Sequence, residues 1–157
     1  MPTLKEAVED FLAQKRIAVV GVSRDSRQAA NLVYRGLRKA SYEVFAVNPN
    51  ADQVEGDTCF HDLRSIPGGV AGVVVATTPA IAEEVVRACA EQGISRVWMH
   101  RSFGGGSVSE DAAEYCRAHG ITVIVGGCPR MFLPGADFGH RCMRWALNLT
   151  GGLPKQV

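Results

Sequence analysis

An apolar run over residues 17–22, Ile-Ala-Val-Val-Gly-Val, is followed at once by the polar segment 23–27, Ser-Arg-Asp-Ser-Arg. A strand-length apolar run that ends around a glycine and opens into a loop of small residues is typical of the first strand of a nucleotide-binding βαβ unit. We therefore predict a strand over residues 16–22 and a helix from about Gln28. This arrangement places backbone N–H groups and the positive end of a helix dipole at the loop, where a phosphate group binds favourably.

Strands and helices are predicted to alternate along the chain, as in an α/β protein with a parallel sheet. The further predicted strands cover residues 43–47, 72–76, 96–100 and 121–125, and the predicted helices cover about residues 3–14, 28–40, 79–92, 110–119 and 138–149. A polar connection with a short helical turn near residues 61–65 fills residues 51–69. We predict one Rossmann-like domain over residues 1–157, with a doubly wound parallel sheet of about five strands in the order 3-2-1-4-5 and helices on both faces.

Cap residues mark the starts of two of these helices. Thr78 followed by Pro79 predicts an N-cap and a first helical residue. The segment 107–110, Ser-Val-Ser-Glu, predicts a helix start at which either Ser107 or Ser109 is the cap.

A ligand is expected at the carboxyl ends of the strands, near the point where the strand connections reverse direction. The predicted order places that point between strands one and four. A dinucleotide site needs Gly-x-Gly-x-x-Gly, whereas this register holds Gly21, Ser23 and Ser26. An NAD site also favours an acidic residue after strand two, where this chain has Asn48 and Pro49. Both departures weigh against NAD, and an NAD(P)-dependent oxidoreductase is kept as an alternative.

Five short motifs, taken together, resemble the small CoA-binding proteins, which are similar to the N-terminal CoA-binding domain of the succinyl-CoA synthetase α subunit. The motifs are residues 20–23 (Val-Gly-Val-Ser), 47–49 (Val-Asn-Pro), 76–79 (Ala-Thr-Thr-Pro), 97–100 (Val-Trp-Met-His) and 128–129 (Cys-Pro). Their order and spacing carry the resemblance over about residues 16–131. The resemblance implies a Rossmann-type fold that holds coenzyme A across the strand ends.

The resemblance also implies which residues bind the cofactor. Gly21, Val22 and Ser23 would meet the phosphates of CoA, Asn48 and Pro49 would lie beside its adenosine end, and Thr77, Thr78 and Pro79 would flank the pantetheine or the pyrophosphate.

Two arginines and a histidine complete the candidate cofactor site. Arg24 and Arg27 lie in the same loop as Ser23, and a guanidinium group can bind a phosphate through two hydrogen bonds. His100 ends the fourth predicted strand, at a position where the family often has glutamine. A glycine-rich loop over residues 103–106 also departs from the family pattern.

Composition and cysteine spacing argue against several classes of function. A net charge of +1 gives no field that would attract nucleic acid or a membrane surface. The apolar runs are shorter than the ~20 residues that span a bilayer, and the N-terminal residues lack a secretory signal pattern, so we expect a cytoplasmic protein. The five cysteines include no Cys-x-x-Cys pair, and their odd number argues against zinc or a disulfide framework. A homo-oligomer or a protein partner is left open.

The expected function is to bind CoA or an acyl-CoA, as a non-catalytic sensor or a module that presents the ligand to a partner. No Ser-His-Asp arrangement and no paired carboxylates stand near the predicted strand ends. The synthetase family carries its phosphorylated histidine in a second domain, which nothing in this sequence resembles, so the ligase reaction is not expected. Besides the oxidoreductase, the alternatives are a CoA transferase or thioesterase that uses His100 or Cys128, and an interaction module with a vestigial pocket.

Overall fold

The computed structural model of the protein describes residues 2–101 and 106–133. The strands are β1 (Arg16–Val20), β2 (Glu43–Val47), β3 (Gln53–Val54), β4 (Asp57–Phe60), β5 (Gly72–Val75), β6 (Arg96–Met99) and β7 (Thr122–Val125). The helices are α1 (Leu4–Leu12), α2 (Ala29–Lys39), α3 (Pro79–Glu91) and α4 (Glu110–Ala118), with short 3-10 turns at Leu63–Ser65 and Pro129–Met131. The helix predicted over residues 138–149 and most of the glycine-rich loop lie outside the described residues.

The described strands form one sheet in the order β3-β4-β2-β1-β5-β6-β7. Neighbouring strands are parallel except for the hairpin of β3 and β4. Helices α1 and α2 pack into one core cluster on one face of the sheet, and α3 and α4 pack into a second cluster on the other. The predicted Rossmann-like α/β class, with helices on both faces, is therefore confirmed.

The predicted strand order 3-2-1-4-5 is wrong, and the described sheet has seven strands where about five were predicted. The predicted third strand is β5, which pairs with β1 and not with β2. The place beside β2 belongs to β4, in a segment assigned to the polar connection. This strand has no apolar run because Asp57 and Thr58 are polar and only Cys59 in it is buried. As a result, the strand connections reverse direction between β1 and β5, and not between β1 and β6.

The predicted helix caps are confirmed, and the structure decides between Ser107 and Ser109. Thr78 is the N-cap residue of α3 and Pro79 is its first residue. Ser109, and not Ser107, caps α4, because its hydroxyl accepts a hydrogen bond from the backbone N–H of Ala112 at 3.2 Å. Among the described residues, none of the helices combines the length and apolar character that crossing a bilayer requires.

Candidate functional site

The loops that follow β1, β2, β5 and β6 lie along one edge of the sheet, here called the C-terminal edge. Parallel pairing aligns Val20, the last residue of β1, with Val47 on one side and Val75 on the other. The N–H of Gly21 donates to the carbonyl of Val47 and the N–H of Ala76 donates to the carbonyl of Val20, each at 2.9 Å. The three loops that the sequence assigned to the ligand are thereby brought together around β1.

Gly21 follows β1 and lies against the backbone of Ala76, which follows β5. Its φ of +109° is in the region that favours glycine. A Cβ atom built on Gly21 would lie 2.2 Å from the carbonyl oxygen of Ala76. The glycine is therefore required by the contact between these two strands, quite apart from any ligand.

Asn31 of α2 holds the backbone of the loop after β1. The N–H of Ser23 donates to Asn31 Oδ1 at 2.9 Å, and Asn31 Nδ2 donates to the carbonyl of Ser23 at 2.7 Å. Asn31 and Val22 are both completely buried, so neither has surface exposed to a ligand. The sequence marks Asn31 only as a polar residue among the apolar core positions of α2, a signal that does not predict its role.

The two candidate arginines of this loop have different surroundings. Arg27 donates from Nε and Nη2 to the two carboxylate oxygens of Asp25, at 3.0 and 3.2 Å. These hydrogen bonds lower the pKa of Asp25, and they occupy two of the guanidinium donors of Arg27. Arg24 reaches the carbonyl of Asn50 at 3.2 Å and has no carboxylate partner within the described residues. Arg24 is therefore the better placed of the two for a phosphate group.

Asn48 joins the loops after β1 and β2. Its Nδ2 donates to the carbonyl of Val22 at 2.9 Å, and its Oδ1 accepts from the N–H of Asn50 at 2.8 Å. Pro49 follows on the exposed surface. An aspartate, which an NAD site would favour here, cannot make the first of these bonds when ionised, because its carboxylate has no donor.

We expect Asn48→Asp to lower the free energy of unfolding by about 1–3 kcal/mol, since it sets a carboxylate against the Val22 carbonyl. Urea denaturation measures the loss. Asn50→Asp is the matched control, because it adds the same charge to the same loop at a residue that uses its backbone for these contacts. Equal losses in the two variants would contradict the role given to the Asn48 side chain.

Ser107 links the backbone segments that follow β5 and β6. Its hydroxyl accepts from the N–H of Thr77 at 2.7 Å and donates to the carbonyl of Thr77 at 2.8 Å. The N–H of Ser107 in turn donates to the carbonyl of His100 at 2.9 Å. His100 itself is buried, with 7% of its surface exposed. Thr77 is thus held by its backbone, while Thr78 and Pro79 beyond it are exposed.

The two helices beside the β1–β5 pair begin without a side-chain cap. Gln28 is the N-cap residue of α2 and Thr78 that of α3, and neither makes a capping hydrogen bond through its side chain. By contrast, Thr3 and Ser109 cap α1 and α4 in this way. The first N–H groups of a helix need acceptors, and together with the helix dipole they attract an anion. The C-terminal edge therefore offers two sets of donors that suit phosphate groups.

The cysteines of the described region are poorly placed for chemistry. Cys59, Cys89, Cys116 and Cys128 are free and buried, and Cys142 lies outside the described residues. Burial raises the pKa of Cys59 and Cys89 and raises that of Cys116 to about 11. Thiols with such pKa values are weak nucleophiles near neutral pH. In the same region, no group of three or more His, Cys, Asp or Glu residues could hold a metal ion.

The family model described as "CoA binding domain" matches residues 15–134, which include the seven described strands and the C-terminal edge. The chain belongs to the CoA binding domain family. The resemblance found in the sequence motifs is thereby confirmed.

A curated relative and two solved structures are similar to this chain over most of its length. The uncharacterized protein YneT of Bacillus subtilis is 30% identical over 131 residues, covering 81% of this chain and 91% of YneT. The crystal structure of Prb, a protein redesigned for binding, superposes with a TM-score of 0.73 at 26% identity, covering 94% of this chain and 92% of Prb. A hypothetical protein from Pyrococcus horikoshii also gives a TM-score of 0.73, at 25% identity, covering 80% of this chain and 85% of the other.

One relative of this CoA binding domain is an enzyme of much greater length. The ADP-forming acetate–CoA ligase II of Archaeoglobus fulgidus is 29% identical over 127 residues, which cover 74% of this chain. The match spans only 19% of the ligase. The shared part is therefore a domain of the ligase.

Proposed function

We propose that this protein binds coenzyme A, free or acylated, at the C-terminal edge without reacting with it. The observation that carries the proposal is the pair of uncapped helix starts, α2 and α3, on either side of the β1–β5 reversal in a chain of the CoA binding domain family. Such donors fit the charge of a CoA molecule, which carries a diphosphate and a 3′-phosphate.

Each part of the cofactor is assigned to residues of matching chemistry. The diphosphate binds at the first turn of α2, beside Gly21, Ser23 and Arg24, which are at least partly exposed. Asn48 and Pro49 border the adenosine, and Arg24, between the loops after β1 and β2, takes the 3′-phosphate. These contacts need only hydrogen-bond donors and one positively charged side chain, that of Arg24.

The pantetheine arm is assigned to the start of α3 and the end of β6. Thr77, Thr78 and Pro79 flank the arm, and His100 lies behind its far end. The role proposed is binding without catalysis, as a sensor of CoA or acyl-CoA or as a module that presents it to a partner. Cys128, the cysteine considered for thioester chemistry, is only 2% exposed, which supports binding over that chemistry. The ligase reaction is not carried over, because this chain matches about a fifth of the ligase.

A ligand panel tests the proposal. We expect CoA and acetyl-CoA to raise the melting temperature by several degrees, since a ligand at 100 times its Kd stabilises the fold by about 2.7 kcal/mol. Dephospho-CoA should bind more weakly because it lacks the 3′-phosphate that Arg24 is proposed to contact. Calorimetry gives the affinities. Stabilisation by NADP or NAD but not by CoA would favour the oxidoreductase, and no response to any ligand would favour an interaction module. Either result would overturn the proposal.

A further inference from the structure

The hairpin turn between β3 and β4 presses a glutamate against helix α2. Glu55 and Gly56 form this turn with φ values of +53° and +80°. Positive φ at both positions is what a two-residue hairpin needs, but asparagine, aspartate and glycine are the residues that adopt it readily. Glu55 occupies the first of these positions, and only 9% of its side chain is exposed. A strained backbone position occupied by a buried acid suggests that the side chain has a role.

A single carboxylate oxygen of Glu55 accepts two hydrogen bonds from α2. Asn31 Nδ2 donates to Glu55 Oε1 at 2.7 Å, and Arg35 Nη1 donates to the same oxygen at 2.6 Å. Both donors continue to the loop after β1. Asn31 bonds the N–H and the carbonyl of Ser23, and Arg35 Nη1 also donates to the carbonyl of Ser26 at 3.0 Å. Glu55 is thus linked to the loop twice, once through Asn31 and once through Arg35.

We propose that Glu55 is a positioning residue for the loop over residues 21–28. Its carboxylate determines which way the Asn31 amide faces, because only the NH2 group of that amide can meet a carboxylate. The Oδ1 atom of Asn31 is then turned toward the N–H of Ser23. With the amide reversed, an oxygen would face the carboxylate and Ser23 would lose both of its partners. The part of this inference that concerns ligand affinity rests on the proposed function.

The charge of Glu55 is compatible with a phosphate site nearby. Its ion pair with Arg35 compensates the carboxylate inside the protein. Arg35 also carries a positive charge to the loop, at the carbonyl of Ser26. The hairpin therefore supports the loop without adding net negative charge to it.

Substitution at Glu55 tests the inference, with two readouts. Glu55→Gly removes the carboxylate, and glycine adopts the positive φ readily. Glu55→Asn is a second variant, because asparagine also tolerates the positive φ but its side chain is too short to reach α2. Glu55→Gln keeps an acceptor for Asn31. Tyr34→Phe is the control, because it breaks a 2.6 Å bond from the same helix to Asp57 of the same hairpin without touching the loop. The readouts are amide hydrogen exchange at Ser23 in the ligand-free protein and the Kd for CoA.

We expect Glu55→Gly and Glu55→Asn to speed amide exchange at Ser23 at least tenfold, with the amide of Val74 in the central strand as the reference. We also expect both variants to raise the Kd for CoA about tenfold, because each loses a charge-assisted hydrogen bond. Glu55→Gln should change both by less than about threefold, and Tyr34→Phe should change neither. The inference is overturned if the Ser23 amide does not respond, or if it responds and a measurable CoA affinity stays unchanged. If the unmodified protein binds no CoA while the Ser23 amide responds, the proposed function fails and the positioning of the loop by Glu55 stands.

Discussion

Replacing Gly21 by alanine is expected to lower the free energy of unfolding by about 3 kcal/mol or more, the sum of a left-handed backbone penalty and a severe packing clash. The new Cβ would lie 2.2 Å from the carbonyl oxygen and 2.9 Å from the carbonyl carbon of Ala76. Both are backbone atoms of the segment that pairs with β1, so no side chain can rotate away. Relief requires β1 and β5 to separate at the point where the connections reverse, which disrupts the core on both faces. Urea denaturation followed by circular dichroism measures the loss.

Gly93→Ala is the matched control for this substitution. Gly93 follows α3 with a φ of +69°, and nothing lies within 4 Å of the position of its Cβ. Alanine at this position should lower the free energy of unfolding by only the cost of the left-handed backbone conformation, about 1 kcal/mol. If Gly21→Ala cost no more stability than Gly93→Ala, the close approach of β1 and β5 would not be a requirement of the fold.

Ser23→Asp should weaken CoA binding at least 100-fold and leave the protein folded. The substitution adds a negative charge to the loop where the diphosphate is proposed to bind and where Asp25 already stands. Repulsion of about 3 kcal/mol between partly screened charges corresponds to that loss of affinity. The fold should persist because Asn31 bonds the backbone of Ser23. An aspartate oxygen can also accept from the N–H of Asp25, as the serine hydroxyl does at 3.0 Å.

Two controls separate charge from the loss of the hydroxyl. Ser23→Ala removes one local hydrogen bond, so we expect the Kd for CoA to change only a few-fold. Ser41→Asp adds the same charge at the opposite end of the sheet, on an exposed residue whose φ of +71° aspartate tolerates, and should leave the Kd unchanged. Calorimetric titration of CoA compares all three variants. An unaltered affinity in Ser23→Asp would place the phosphates of CoA elsewhere.

Much of the fold follows from patterns contained within single elements. The apolar run of β1 and the periodic apolar positions of α2 are local, and each indicates its element without knowledge of its neighbours. The predicted bounds of β2, residues 43–47, agree with the structure, because a proline two positions later prevents the strand from continuing. The order of short motifs was also enough to identify the CoA binding domain family.

The failures of prediction concern contacts between distant parts of the chain. Strand β4 carries two polar residues and pairs with β2 over two positions, so only its neighbours identify it as a strand. Its position changes the strand order and moves the reversal point to β5. Ser107 illustrates the same limit, since a cap motif in the sequence does not reveal that the hydroxyl bonds Thr77, 30 residues away.

The sequence by itself determined the βαβ unit around Gly21, the class of sheet and the family, because these depend on residue patterns a few positions long. Only the tertiary structure decided why Gly21 must be a glycine, how Asn48 is used, and that Asn31 and Glu55 hold the loop between them. The physical reason is that hydrogen bonds and steric contacts depend on separation in space. Asn31 and Glu55 are 24 positions apart in the chain and 2.7 Å apart at their bonded atoms.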